Sequence, residues 1–310
     1  MSPGDPGSGR DRQTTIHAVN LGRVRDNNLL GGYLRARREL VQPDSVGLPA
    51  DGVRRVAGLR REEVAMLAGI SADYYLRLEQ GRDRNPSMQV LEALARVLRL
   101  DDAATDYLLS LATPQPRHRR RRPRRQTVPA SIRQLLDVVG IPAFVEDRYF
   151  DVLAANNLAR ALSPNLQAGQ NRLTAVFLDP AERAMYPDWD VATANLVGSF
   201  RTAVGTDTDD PRFVQLVGEL SLASPRFRQL WARHDVRTCE GMPTRMRHPQ
   251  VGDLVLNREK LSIGGAKGQL LVVYHAQPGT SSAEKMALLG SLTTPAAPVP
   301  HAPAADIAAA

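Results

Sequence analysis

A single cysteine, Cys239, serves all 310 residues. That excludes an internal disulfide and any zinc cage built on thiolates. Lysine is nearly as scarce, because three of the 40 basic residues are Lys and the rest are Arg. No apolar run approaches the roughly 20 residues of a membrane span, so no membrane partner is expected. The first twenty residues carry Pro, Gly, Asp and Arg but no apolar stretch of leader type, which predicts a chain without a signal peptide and a cytoplasmic location. Catalytic patterns are missing as well. There is no G-x-S-x-G elbow, and Ile263–Gly268 has glycines and a lysine without the Gly-Lys-Ser/Thr order of a phosphate loop. The six His are scattered without H-E-x-x-H spacing, and His234 beside Asp235 does not make a catalytic pair, since adjacent side chains diverge. The expectation is a protein that is not an enzyme and carries neither metal nor cofactor.

The chain is long enough for two ordinary domains, and its 43% hydrophobic residues can fill two cores. Composition divides it into an arm (1–28), a helical domain (29–112), a Pro/Arg linker (113–126), a second domain (127–290) and an Ala/Pro tail (291–310). Seven Arg and no acid lie between Arg117 and Arg125, and this stretch matches the whole net charge of +7. The basic balance therefore reports the linker, not a basic globular surface. Such a linker is either a solvated tether or an arm laid along phosphates.

The informative stretch is Leu59–Gly81. Val64, Ala65, Leu67 and Ala68 make one apolar helix face. Gly69 follows where a helix end wants a left-handed residue. Ser71 sits at the N-cap of a second helix that runs through Tyr75, Leu78 and Glu79. Two short helices joined by a tight Gly turn form a helix-turn-helix. Tyr75 and Leu78 point to the core, and Ala65 is small where the two helices cross. Flanking helices are predicted at Leu30–Leu40, Ser87–Leu98 and Asp102–Leu111.

These residues, with G-L-R-R-E-E-V-A at 58–65, D-Y-Y-L-R-L-E-Q-G at 73–81 and P-S-M-Q-V-L-E-A-L-A-R at 86–96, resemble the bacterial XRE-type regulators. D-V-L-A-A-N-N at 151–157, Y-P-D-W at 186–189, L-W-A-R-H-D-V at 230–236 and V-V-Y at 272–274 narrow the resemblance to the subfamily with an MmyB-like ligand-binding domain. The resemblance implies a lambda-repressor-like all-α bundle followed by an α+β PAS-like domain. It also implies a homodimer that works on double-stranded DNA in the nucleoid. In that docking scheme Ser71, Ala72, Asp73, Tyr74 and Arg77 face the base edges of the major groove. Arg77 would take a guanine edge in a bidentate contact, and Asp73 would be tolerated near phosphates when paired with Arg77. Arg60, Arg61, Arg82, Arg84 and Asn85 fall where phosphates are held, although Arg60 could equally pair with Glu63.

In the second domain, strands are predicted at Pro142–Glu146, Tyr149–Leu153, Thr244–His248, Gly252–Leu256 and Gln269–His275, with five helical stretches between 156 and 234. Such an antiparallel sheet with helices to one side encloses an apolar cavity. Phe144, Phe150, Leu153, Phe177, Phe200 and Trp231 are the expected lining, with Val152, Leu196 and Leu220 also eligible, for a small apolar ligand. Each could also be ordinary core. Asn156, Asn157, Arg233, His234 and Asp235 are polar candidates at the mouth, and Asn156 also fits a helix cap. Arg245, Arg247 and His248 could hold a carboxylate head group. The function expected is ligand-modulated, sequence-specific transcriptional regulation. The alternatives are a second domain that only dimerises, or an enzyme with a DNA-binding appendage.

Overall fold

A computed structural model describes residues 28–49, 56, 58–113, 126–237 and 243–293. The expected arm up to residue 27, the arginines of the linker, Cys239 and the tail from residue 294 lie outside the described residues.

The first five helices are α1 (Leu29–Leu40), α2 (Arg61–Ala68), α3 (Ala72–Glu79), α4 (Met88–Val97) and α5 (Asp102–Ala112). Local signals set their ends. Gly69 closes α2 in the left-handed region at φ 68°, and the Ser71 side chain accepts from the Tyr74 amide to open α3. Asn28 opens α1 by accepting from Gly31 N at 2.9 Å, and its amide donates to the Glu79 carbonyl at 2.7 Å, which ties the start of α1 to the end of α3. A Cβ on Gly31 would meet that same carbonyl oxygen at 2.2 Å, so only glycine permits the close approach. The core gathers Leu34, Leu59, Val64, Tyr75, Leu78, Leu94 and Leu108, all buried.

Ala65 is 2% exposed in this core. Ala65→Leu is expected to force α2 and α3 apart and to cost about 1–3 kcal/mol, as overpacking usually does. Denaturant unfolding of the full chain would register the loss as a lower midpoint with an unchanged slope.

The remaining elements are α6 (Ala130–Val138), β1 (Ala143–Asp147), β2 (Val152–Ala155), α7 (Asn157–Leu162), α8 (Arg172–Leu178), α9 (Pro180–Ala184), α10 (Trp189–Val204), α11 (Pro211–Ala223), α12 (Pro225–Ala232), β3 (Thr244–His248), β4 (Gly252–Ser262), β5 (Gln269–His275) and α13 (Ser281–Thr293). The five strands form one antiparallel sheet in the order β2-β1-β5-β4-β3. Strand β1 is buried along its whole length because both faces of the sheet are covered there. Phe144, Val152, Met246, Leu256 and Val272 share one core, while Ala143, Val145 and Leu271 pack with Leu136 of α6 in another. A separate helical core joins Phe150, Phe200, Phe213, Leu216 and Phe227.

A strand stands at or beside each of the five expected positions. However, β2 is displaced to Val152–Ala155, because Tyr149 and Phe150 belong to the turn after β1, and β4 runs six residues past its expected end at Leu256, to Ser262. Three helices were not expected: α6, α8 and α13, the last entering the assumed tail at residues 291–293. No helix among the described residues is long and apolar enough to cross a membrane. No group of three or more His, Cys, Asp or Glu among them could hold a metal ion.

Candidate nucleic-acid interface and ligand cavity

Helix α3 has two unlike faces. Tyr75, Leu78 and Glu79 are buried, while Ser71, Ala72, Asp73 and Arg77 are exposed. Arg77 is held ready: its guanidinium donates to Asp73 at 2.9 Å one turn away and lies 5.7 Å from the centre of the Tyr74 ring. Tyr74 is half-buried against the helical core, which pushes its phenol pKa up.

Beneath this face lies a buried ion cluster. Glu79, at 0% exposure, accepts from Arg38 at 2.7 Å and from Arg61 at 2.6 Å. Burial pushes the Glu79 carboxyl up, but the guanidinium bonds of Arg38 and Arg61 outweigh it and hold it below the ordinary carboxylate range. Arg38 also donates to the Leu59 carbonyl at 2.8 Å. The cluster therefore locks α1, α2 and α3 together. Arg61, expected at a phosphate, spends its Nε on Glu79. Arg60 is exposed, and its backbone amide donates to Glu63 Oε2 at 2.6 Å, so the pairing of these two residues is a helix-capping contact through the main chain. Arg82, Arg84 and Asn85 are exposed in the loop after Gly81. Arg84 Nε donates to the Gly81 carbonyl at 2.9 Å.

The second domain contains a cavity of about 200 Å³. Its floor is made by buried Arg172, Val176, Leu196 and Tyr274, and exposed Asp188, Val191, Pro243 and Arg245 stand at its rim. Tyr186, Ala192, Asn195, Thr244 and Arg258 complete the wall. Three arginines thus face one acid. Arg172 is anchored behind by the buried Glu146 carboxylate at 2.6 Å, which Lys260 approaches to 2.7 Å from the other side. Burial pushes the Glu146 carboxyl up, yet Arg172 and Lys260 together bring it down to about 2. The Nε of Arg258 is buried and has no hydrogen-bond partner among the described residues.

The six residues expected to line the cavity do not line it. Phe144 is sealed in the sheet core, with its ring 6.3 Å from that of Tyr274. Phe150 and Phe200 meet edge to face in the helical core, where Phe177 and Trp231 also pack. Leu153 packs on the α6 side of the sheet. The physical reason is that apolar character predicts burial but not which buried surface borders a void. Phe144 and Phe150 instead flank the Arg172 guanidinium, at 5.4 Å and 5.7 Å from its carbon. Of the other residues considered, Leu196 and Arg245 do line the cavity. Arg247 pairs with Asp253 at 3.1 Å, and buried His248 holds the β3–β4 turn through its Nδ1. Asn156 is a helix cap that accepts from Ala159 N at 2.8 Å.

Arg233, His234 and Asp235 are not at the cavity mouth: His234 and Asp235 dock on the first domain, and Arg233 pairs with Asp235. Asp235 accepts from Arg37 of α1 at 2.8 Å and from Arg233 at 2.9 Å. The His234 ring meets Tyr33 at 6.5 Å, its Nδ1 lies 3.2 Å from Arg201 of α10, and Val236 enters the core of the first domain.

Burial first, and then the charges of Arg201 and Arg37, hold the His234 imidazole down to about 3. Tyr33, Tyr107 and Asp235 are the other titratable groups around this contact. An unfolded His titrates near pH 6.5 and the folded one far lower. Its contribution is therefore complete above pH 6.5 and lost as pH falls toward 3, by up to about 1.4 kcal/mol per unit. The drop in melting temperature from pH 7 to pH 5 should be smaller in His234→Asn than in the wild type. Asn suits this position because the backbone φ is 54°, in the left-handed region.

Comparison with protein families gives two matches. The MmyB-like transcription regulator ligand binding domain matches residues 128–289, and a helix-turn-helix domain matches residues 29–108. Among curated proteins none matches the chain. This domain content is that of a DNA-binding transcription regulator and not of an enzyme.

Proposed function

Since the chain belongs to the family of MmyB-like transcription regulators with a ligand-binding domain, we propose that it reads one duplex sequence through α3 and that a small molecule in the second domain modulates this binding. The observation that carries the proposal is the exposed face of α3, where Ser71, Ala72, Asp73 and a pre-positioned Arg77 stand clear of the fold. Arg77 takes a base edge, Ser71 and Ala72 lie close to the bases, and Arg60, Arg82, Arg84 and Asn85 hold phosphates on either side. The protein acts as an XRE-type bacterial homodimer, located in the cytoplasm on the nucleoid. Two-fold symmetry then requires an inverted repeat. The strand order of the sheet supports the PAS-like reading of the second domain.

The ligand is small. A cavity near 150 Å³ admits a benzene ring, so about 200 Å³ suits a ring or short chain with one substituent. Val176, Val191, Ala192 and Leu196 offer it an apolar wall. The excess of Arg172, Arg245 and Arg258 over Asp188 gives it an anionic head group, for which Arg245 was already a candidate from sequence while Arg172 and Arg258 were not. Native mass spectrometry of the full chain tests this reading. A co-purifying mass that Arg258→Ala removes supports it. A bare mass in both proteins overturns ligand sensing and leaves a second domain that only dimerises.

A further inference from the structure

The segment Arg233–Arg237 touches both the cavity wall and the first domain. On the cavity side, Arg237 donates to Asn195 Oδ1 at 2.8 Å, and Asn195 lines the cavity. Arg237 sits tightly on α10 because Gly198 leaves room for it: a Cβ at Gly198 would lie 2.9 Å from the Arg237 side chain. Thr202 donates to the Arg237 carbonyl at 3.3 Å, one turn further along α10. On the other side, Val236 is 5% exposed within the first domain's core, and Asp235 pairs with Arg37 of α1. Between these two contacts stands Arg201 of α10, 5% exposed, stacked 3.8 Å from the Trp231 ring and within reach of His234. His234 keeps a left-handed backbone, at φ 54°, that side chains other than glycine rarely adopt. Standing just after the C-cap of α12, it turns the chain off the helix and toward the first domain.

We infer that Arg233–Arg237 is a latch through which the state of the cavity is transmitted to the DNA-binding domain. The residues Val191, Ala192, Asn195 and Leu196, which border the cavity, and Arg201, which holds the latch, belong to one helix, α10. An occupant that displaces Asn195 removes the partner of Arg237 and shifts α10 under Arg201. The turn then loses its support, and the Arg37–Asp235 and Val236 contacts open. The DNA-binding domain, free to reorient, presents α3 differently. Linkage requires the reciprocal effect: duplex that prefers one orientation alters the affinity of the cavity for its occupant.

The inference rests on the cavity being the ligand site, so the test uses an occupant built into the chain. In Ala192→Trp the indole fills the cavity from the first turns of α10, and Asn195→Leu breaks the Arg237 bond directly. Each is made in the full chain, alone and combined with Arg37→Ala/Asp235→Ala/Val236→Ala, which removes both contacts of the latch with the first domain. Hydrogen exchange of the α1 and α5 amides and affinity for a selected duplex are read in parallel.

Each single variant is expected to speed exchange in α1 and to shift duplex affinity by about 5-fold or more. Neither should shift it further once the latch is gone. Equal shifts with and without the latch would overturn the inference, as would unchanged α1 exchange in both single variants. A bare mass in native mass spectrometry would reject ligand sensing and leave these outcomes as informative as before. The two readings therefore fail separately.

Discussion

Glu79→Gln is expected to lower the melting temperature of the DNA-binding domain by more than about 10 °C, with duplex binding lost alongside. Removing one member of a buried ion pair leaves its partner charged and unsolvated, at a cost of about 3–5 kcal/mol. In a domain of this size each kcal/mol moves the midpoint by about 4–8 °C. Arg38, 4% exposed, would be left without its carboxylate, while half-exposed Arg61 can turn to water. The cost should therefore be traced to Arg38. In Arg38→Met/Glu79→Leu, where both charges are gone, more than half of the lost stability should return, because an apolar pair of similar volume often substitutes for a buried ion pair. Calorimetry of the three proteins decides it. A single variant that melts within about 2 °C of the wild type would show that the cluster contributes little. The low carboxyl pKa of Glu79 sets the pH sense: its contribution is present above the ordinary Glu range and is lost as pH falls from that range through the lower value of the folded state.

The second large effect concerns recognition. Arg77→Ala should weaken binding to the selected duplex by about 10- to 100-fold, the equivalent of one bidentate base contact. Binding to unrelated duplex should change by less than about 3-fold, since a base contact contributes little to the phosphate term. Arg77→Lys should recover little, because a point charge cannot reproduce the planar fork. By contrast, Arg84→Ala should weaken all duplexes alike and flatten the salt dependence. Competition titrations at two salt concentrations separate these outcomes. Equal loss on both duplexes in Arg77→Ala would place that residue on phosphate.

Much of the DNA-binding domain was legible because its signals are local. Gly69, Ser71 and the spacing of Val64, Tyr75 and Leu78 each speak for their own turn of helix, and each stands where that spacing puts it. The strands were legible for the same reason, as short apolar runs between turn residues. What stayed hidden depends on partners far along the chain. Arg172 made α8 hard to see as a buried helix, because its burial rests on Glu146, 26 residues away. Arg61 gave no sign that Glu79 holds it. Arg37 and Asp235 meet across 198 residues, and no periodicity announces such a contact. The cavity was misplaced for a related reason. Aromatic content pointed to Phe150, Phe200 and Trp231, which fill space, whereas a void is bordered by whatever fails to fill it, here Ala192, Asn195 and three arginines.

The central claim is that the outer face of α3 reads duplex DNA. Selection from a pool of random duplexes, with the full chain as bait at moderate ionic strength, tests it most directly. The account predicts enrichment of one motif made of two inverted half-sites whose centres are about one helical turn, or a multiple of it, apart. A pool that emerges with no motif after repeated rounds would contradict it.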